Sequence, residues 1–164
     1  MNEHDERWIQ RDRMRFIKNS LSANLAILAI VFNVFYFVSI YRSNVGTFYY
    51  NYLIGISVVY NLVFMLATFL SEEGVKNYKK NYSYLLAVLG VGQIVRIFIL
   101  PTKAHGAVVA VGDVMTSVMS DKQYISLLVY LIVSAACLIA AAVTNYVKCS
   151  TLEAHMKTLT EGSV

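Results

Sequence analysis

Four polar side chains could do chemistry inside otherwise apolar stretches of this sequence: Asn33, Asn61, Gln93 and Arg96. A carboxamide offers both a donor and an acceptor. Three of them at similar depth could bind a small ligand or ion, or could bond one helix to another. Gluing helices together is the commoner use, at about 0.6 to 2 kcal/mol per bond, and it is the expected one. Arg96 is the one ionisable residue well inside an apolar run. It stands about one turn before Pro101, so it is expected to snorkel to headgroups or to pair with Asp113 or Asp121. A bound anionic ligand or partner is the competing role.

The stretch 101–123, PTKAHGAVVAVGDVMTSVMSDKQ, carries His105 and both of those aspartates. A histidine oriented by an aspartate is the core of many acid–base sites. Here no nucleophile motif such as GxSxG or HExxH accompanies it. The chain therefore reads as non-enzymatic. Cys137 and Cys149 are too few for a disulfide framework and have no zinc-ligand spacing, so neither metal nor cofactor is expected.

Positioning these residues falls to four long apolar runs. Of the 164 residues, 57% are hydrophobic, 15% are charged and one is proline. That composition excludes disorder, a disulfide scaffold and an ordinary cytosolic enzyme. The runs cover roughly 19–41, 48–70, 83–100 and 124–147, and each can cross a hydrocarbon core ~30 Å thick at ~1.5 Å rise per residue, the third only just. Backbone groups in lipid must be satisfied within the segment, so the runs are helices. The fold predicted is an all-α integral membrane protein with four transmembrane helices in a compact bundle. An interfacial helix precedes them, and a short apolar segment, re-entrant or interfacial, joins helices three and four. Residues 1–18 form the interfacial segment, 19–147 the transmembrane domain and 148–164 a helical tail. The plain expectation for AVVAVGDVM is an interfacial helix on the outer rim.

Orientation follows from basic residues. Arg7, Arg11, Arg13, Arg15 and Lys18 precede the first run, Lys76, Lys79 and Lys80 lie between the second and third, and Lys148 and Lys157 follow the fourth. Arg42, Lys103 and Lys122 lie on the opposite side. Ten against three puts both termini in the cytoplasm, in a plasma or inner membrane. The net charge of +4 is thereby explained without nucleic acid. Arg7, Arg11, Arg15 and Lys18 recur within an arc of about 80° on a helix, facing anionic headgroups or a docking partner. Tyrosines near the run ends, Tyr36, Tyr41 and Tyr124 among them, read as interfacial anchors with no chemistry.

Apolar helices in lipid associate through small and polar residues. The first run offers Ser22, Ala26, Ala29 and Asn33 on one face, the second Ser57, Asn61 and Thr68, and the third Ser83, Ala87, Gly90 and Gln93. For the fourth, Ala136, Ala140 and Thr144 are the expected contact stripe and Leu138 is expected to face lipid. The function that fits is an accessory or scaffold subunit of a larger membrane assembly, partnered by other subunits or by copies of itself. A small homo-oligomeric channel or transporter built around the amide tier is the alternative, and a membrane enzyme trails both.

The orientation has a direct test. With Cys137 and Cys149 replaced, Lys103→Cys should react with an impermeant thiol reagent in intact cells and Lys79→Cys should not. The opposite pattern would invert the topology.

Overall fold

The computed structural model describes residues 18–42, 51–111 and 113–161. The apolar runs become α1 (Ser20–Ile40), α2 (Asn51–Lys76), α3 (Asn81–Ile99) and α5 (Asp121–Glu161). Between the last two lie a five-residue helix α4 (Pro101–His105) and strands β1 (Val108–Val111) and β2 (Val114–Ser117). Four stretches are helical, long and apolar enough to cross a membrane: Ser20–Ile40, Gly55–Lys76, Asn81–His105 and Asp121–Thr158. No proline interrupts any of the four long helices, and Pro101 falls at the first position of α4, where its missing N–H costs nothing. Their outward faces stay apolar: Val63, Val88 and Phe98 are all exposed. That is the surface of helices meant to be covered by something other than water.

The helices close a ring of neighbours, with α1 against α2 and α5, and α3 against the same two. Small residues let them approach. Ala23, Ala26 and Ala29 of α1 meet Ala141 and Ala142 of α5 in a cluster that also holds Phe64, Leu86 and Leu138. At Gly90 a Cβ would lie 2.9 Å from Cγ1 of Ile139, so α3 and α5 touch at a spacing only glycine permits without a shift. A second cluster joins Tyr36, Ile40, Leu127 and Leu131 to Ala104, Val118 and Met119 beneath the strands.

The end of the ring near residues 77–80 is closed by a polar hub. Asn145 donates to Ser83 Oγ (2.8 Å) and to the Lys79 carbonyl (3.2 Å), and its Oδ1 accepts from Asn19 Nδ2 (3.0 Å). Lys148 Nζ donates to Asn19 Oδ1 (3.0 Å), and the Asn19 amide N–H donates to the Lys76 carbonyl (3.1 Å). Three helices and a loop are thus fixed by two asparagines. Nearby, α2 ends with Lys79 N–H donating to the Gly74 carbonyl and Tyr78 N–H to that of Val75. This paired closure places Tyr78 in the left-handed region at φ 56°. Past Lys148, α5 continues to Glu161 and is tied back by Lys80, whose Nζ lies 3.0 Å from Glu153. The bond to Glu153 holds the Lys80 ammonium above its ordinary pKa.

Two expectations are corrected. The first concerns the face of α5. Ala136 and Ala140 are exposed, whereas Leu138 is fully buried with Leu127, Leu131, Ser134, Ala141 and Asn145. Small residues surround this part of α5, so they do not choose a face. The polar anchors Ser134 and Asn145 do, because each must reach a partner on another helix. The second concerns AVVAVGDVM. It forms no interfacial helix: Val108–Val111 pairs antiparallel with Val114–Ser117, Val111 opposite Val114. A β-branched run around a Gly-Asp pair favours a hairpin over a helix.

Leu138→Ala should therefore lower stability by about 2 to 5 kcal/mol, the usual range for emptying a filled core site. Ala140→Leu should be nearly silent. Thermal unfolding of both variants in one detergent gives the ranking, and a larger loss for Ala140→Leu would return α5 to the other face.

Candidate functional site

The densest polar chemistry lies where α1, α2, α3 and α5 meet, toward the strand end. The fourfold and threefold spacings of the helix put Asn33 of α1, Asn61 of α2, Gln93 and Arg96 of α3 and Ser134 of α5 on inward faces. The first three and Ser134 are fully buried, and Arg96 is 5% exposed. Arg96 Nη1 donates to Asn33 Oδ1 at 3.0 Å and Nη2 to Asn61 Oδ1 at 2.6 Å. Gln93 Nε2 donates to the same Asn33 oxygen (3.1 Å) and to Ser134 Oγ (3.2 Å). Ser134 in turn donates to the Ala29 carbonyl at 3.0 Å.

Aromatic faces complete the cage. The guanidinium carbon lies 4.2 Å from the ring centroid of Tyr36 and 5.1 Å from that of Tyr60. A planar, delocalised cation suits this setting, because it can donate in its plane while its faces meet π-systems. Each charge-assisted bond to an amide contributes about 1.5 to 3 kcal/mol against the cost of leaving water. Among the described residues the lysine–carboxylate pairs are Lys76 with Glu72 and Glu73 and Lys80 with Glu153, and Arg96 has no carboxylate partner there. Asn33 Nδ2 and Gln93 Oε1 are buried without a hydrogen-bond partner.

Beside Arg96 a groove of about 520 Å³ opens between α2 and α3. Its walls are Ile56, Ser57 and Tyr60 on one helix and Val88, Val91 and Val95 on the other, with Gly92 leaving room and Arg96 at the base.

The structure thus brings together Asn33, Asn61, Gln93 and Arg96, four of the residues singled out by type and position. It separates them from Asp113, which is exposed between the two strands, and from Asp121. Asp121 Oδ1 instead lies 2.9 Å from Nε2 of His105, whose ring stacks on Tyr124 at 4.2 Å. Arg96 therefore neither snorkels nor pairs with Asp113 or Asp121; it turns inward, where two amides and two rings offer more than the surface does. Lys18 is exposed just ahead of α1, and Arg7, Arg11 and Arg15 lie outside the described residues.

Tyr36, Tyr60 and Ser134 were not among the sequence candidates. Tyr36 in particular is no interfacial anchor but fully buried. For Tyr36 a signal existed: it follows Asn33 by three residues and so shares its face, whereas Tyr60, one residue before Asn61, had none of that kind. No family model, curated protein or solved structure matches this chain.

Snorkelling would let lysine replace Arg96; this cage does not. One ammonium cannot reach both amides and fill the space between two rings. Arg96→Lys should lower the unfolding temperature clearly. Arg96→Leu should cost about 1 to 3 kcal/mol, since it strands the Asn61 oxygen, and adding Asn61→Leu should recover part of that loss. Unfolding curves of the three variants would show it. A lysine variant as stable as the parent would return Arg96 to the surface.

Proposed function

We propose that the chain is a multi-pass protein of the plasma (inner) membrane, its long helices a compact bundle and both termini cytoplasmic, serving as a non-enzymatic accessory or scaffold subunit of a larger membrane assembly. The observation that carries this reading is that the hydrogen bonds of the amide tier run between helices of one chain, with Asn33 Nδ2 and Gln93 Oε1 left without a partner. Asn33, Asn61, Gln93 and Ser134 bond to Arg96, to one another or to a neighbouring carbonyl, and all are buried. A homo-oligomeric channel would need such groups on a surface facing a shared axis. Here they hold four helices in register.

What the chain offers to others lies at its ends. On the outer side under the positive-inside assignment, the hairpin exposes Val108, Val114 and Met115. A two-stranded apolar hairpin is marginal alone and has edges suited to another chain. On the cytoplasmic side under the same assignment α5 continues as helix to Glu161, and the sequence ahead of α1 supplies Arg7, Arg11, Arg15 and Lys18, cations suited to anionic headgroups or a docking partner.

Mild-detergent extraction of the tagged chain should retain a stoichiometric membrane partner. Val114→Asp with Met115→Asp should release that partner while leaving the unfolding temperature unchanged. Recovery of nothing but a homo-oligomer, insensitive to the hairpin variant, would overturn the subunit reading and favour a channel.

A further inference from the structure

We propose that the groove between α2 and α3 binds a membrane-borne carboxylate with one alkyl chain, a free fatty acid, its head at Arg96 and its chain along the valines of α3. The site shares Arg96 with the tier on which the subunit reading rests, but it shares no residue with the hairpin that the partner test addresses.

Charge is the first argument. Arg96 is 5% exposed, and the oxygens it bonds at Asn33 and Asn61 belong to neutral amides and not to a carboxylate. A guanidinium has five N–H donors, so capacity for an anion is left over. A carboxylate arriving there would replace no existing ion pair among the described residues, and its planar pair of oxygens matches the fork of the donor.

The second argument is the shape and chemistry of the groove. Its volume of about 520 Å³ falls in the usual ~300–1,000 Å³ range of small-ligand sites, suited to one chain and not to a whole diacyl lipid. Its polar side chains are Arg96, Tyr60 and Ser57; the remaining walls are mostly aliphatic. A carboxylate has two oxygens to satisfy, which the guanidinium and the Tyr60 hydroxyl can do between them. A phosphodiester headgroup brings further polar atoms that aliphatic walls would leave unpaired, at a cost of about 1 to 3 kcal/mol each. Access is lateral: Val88, Val91 and Val95 are exposed on the apolar flank of α3, so the ligand enters from the hydrocarbon and not from water.

Gly92 controls the head of the groove. A Cβ there would sit 3.4 Å from the Tyr60 hydroxyl, so a larger side chain grows into the space the carboxylate needs. Gly92→Leu is therefore a plug at a residue that takes no part in the Arg96 bonds to Asn33 and Asn61.

The test uses the full chain in detergent with cis-parinaric acid, a fluorescent polyene fatty acid, as probe. Binding should saturate, and palmitate should displace the probe. Methyl palmitate and phosphatidylglycerol should each compete at least about tenfold more weakly, since the first lacks the charge and the second carries a headgroup that does not fit. Arg96→Lys should weaken binding about tenfold through loss of the two-pronged contact. Gly92→Leu should abolish it. Should Gly92→Leu fail to fold, Val91→Trp plugs the same groove from an exposed position. Non-saturable uptake, equal competition by the methyl ester, or binding unchanged by the plug would overturn the site. Displacement by phosphatidylglycerol as strong as by palmitate would overturn the carboxylate assignment. Partner retention through the hairpin is read separately, so either proposal can fail alone.

Discussion

A guanidinium carried on an apolar helix keeps its charge in one of two ways: by reaching water, or by receiving acceptors where it stands. Arg96 takes the second way, and the positions of three helices follow from it. Asn33 must come from α1 and Asn61 from α2, with their oxygens 3.0 and 2.6 Å from two different nitrogens of a rigid planar group. A shift of either helix by one residue rotates its asparagine by about 100° and strands a buried cation. Apolar packing tolerates such slips far better. The charge therefore supplies specificity that leucines and valines cannot.

The same logic operates at the opposite end, where the Lys148 ammonium donates to Asn19. Asn145 and Asn19 tie α5, α3 and α1 to the 77–80 loop through short side-chain bonds. Between the two polar tiers lies a belt of alanines and Gly90, where the helices come closest. Polar groups fix register at both ends, and small residues allow close approach in the middle. Interhelical bonds and tight contact are what remain to drive association when the outer faces of the helices are as apolar as their surroundings.

Much of this was legible in the sequence. The four helices follow from run length, and the inward face of α1 follows from Ser22, Ala26, Ala29 and Asn33, all of which are buried. That Asn33, Asn61 and Gln93 lie at one level was also readable from their places in the runs. Three things were not. Depth and the aspartates of the next loop say how far the Arg96 side chain must travel and what waits for it outside, not what it finds if it turns inward. The acceptors and rings that hold it come from two other helices, and their approach is a tertiary fact. On α5 the abundance of alanine removed the contrast that marks a face, so Ser134 and Asn145 had to be weighed above residue size. The hairpin was obscured for a related reason: a short apolar run reads alike as strand or helix until its β-branched content is given weight.

The central claim is that Arg96 is held by Asn33 and Asn61 inside the helices. Solid-state NMR of the isotopically labelled chain in phospholipid bilayers measures this directly. Transfer from the Arg96 Nη nitrogens should reach the side-chain carbonyl carbons of Asn33 and Asn61 and should find no lipid phosphorus nearby. Strong transfer to phosphorus, with none to the two amides, would mean that Arg96 reaches the headgroups and that another interaction sets the register of these helices.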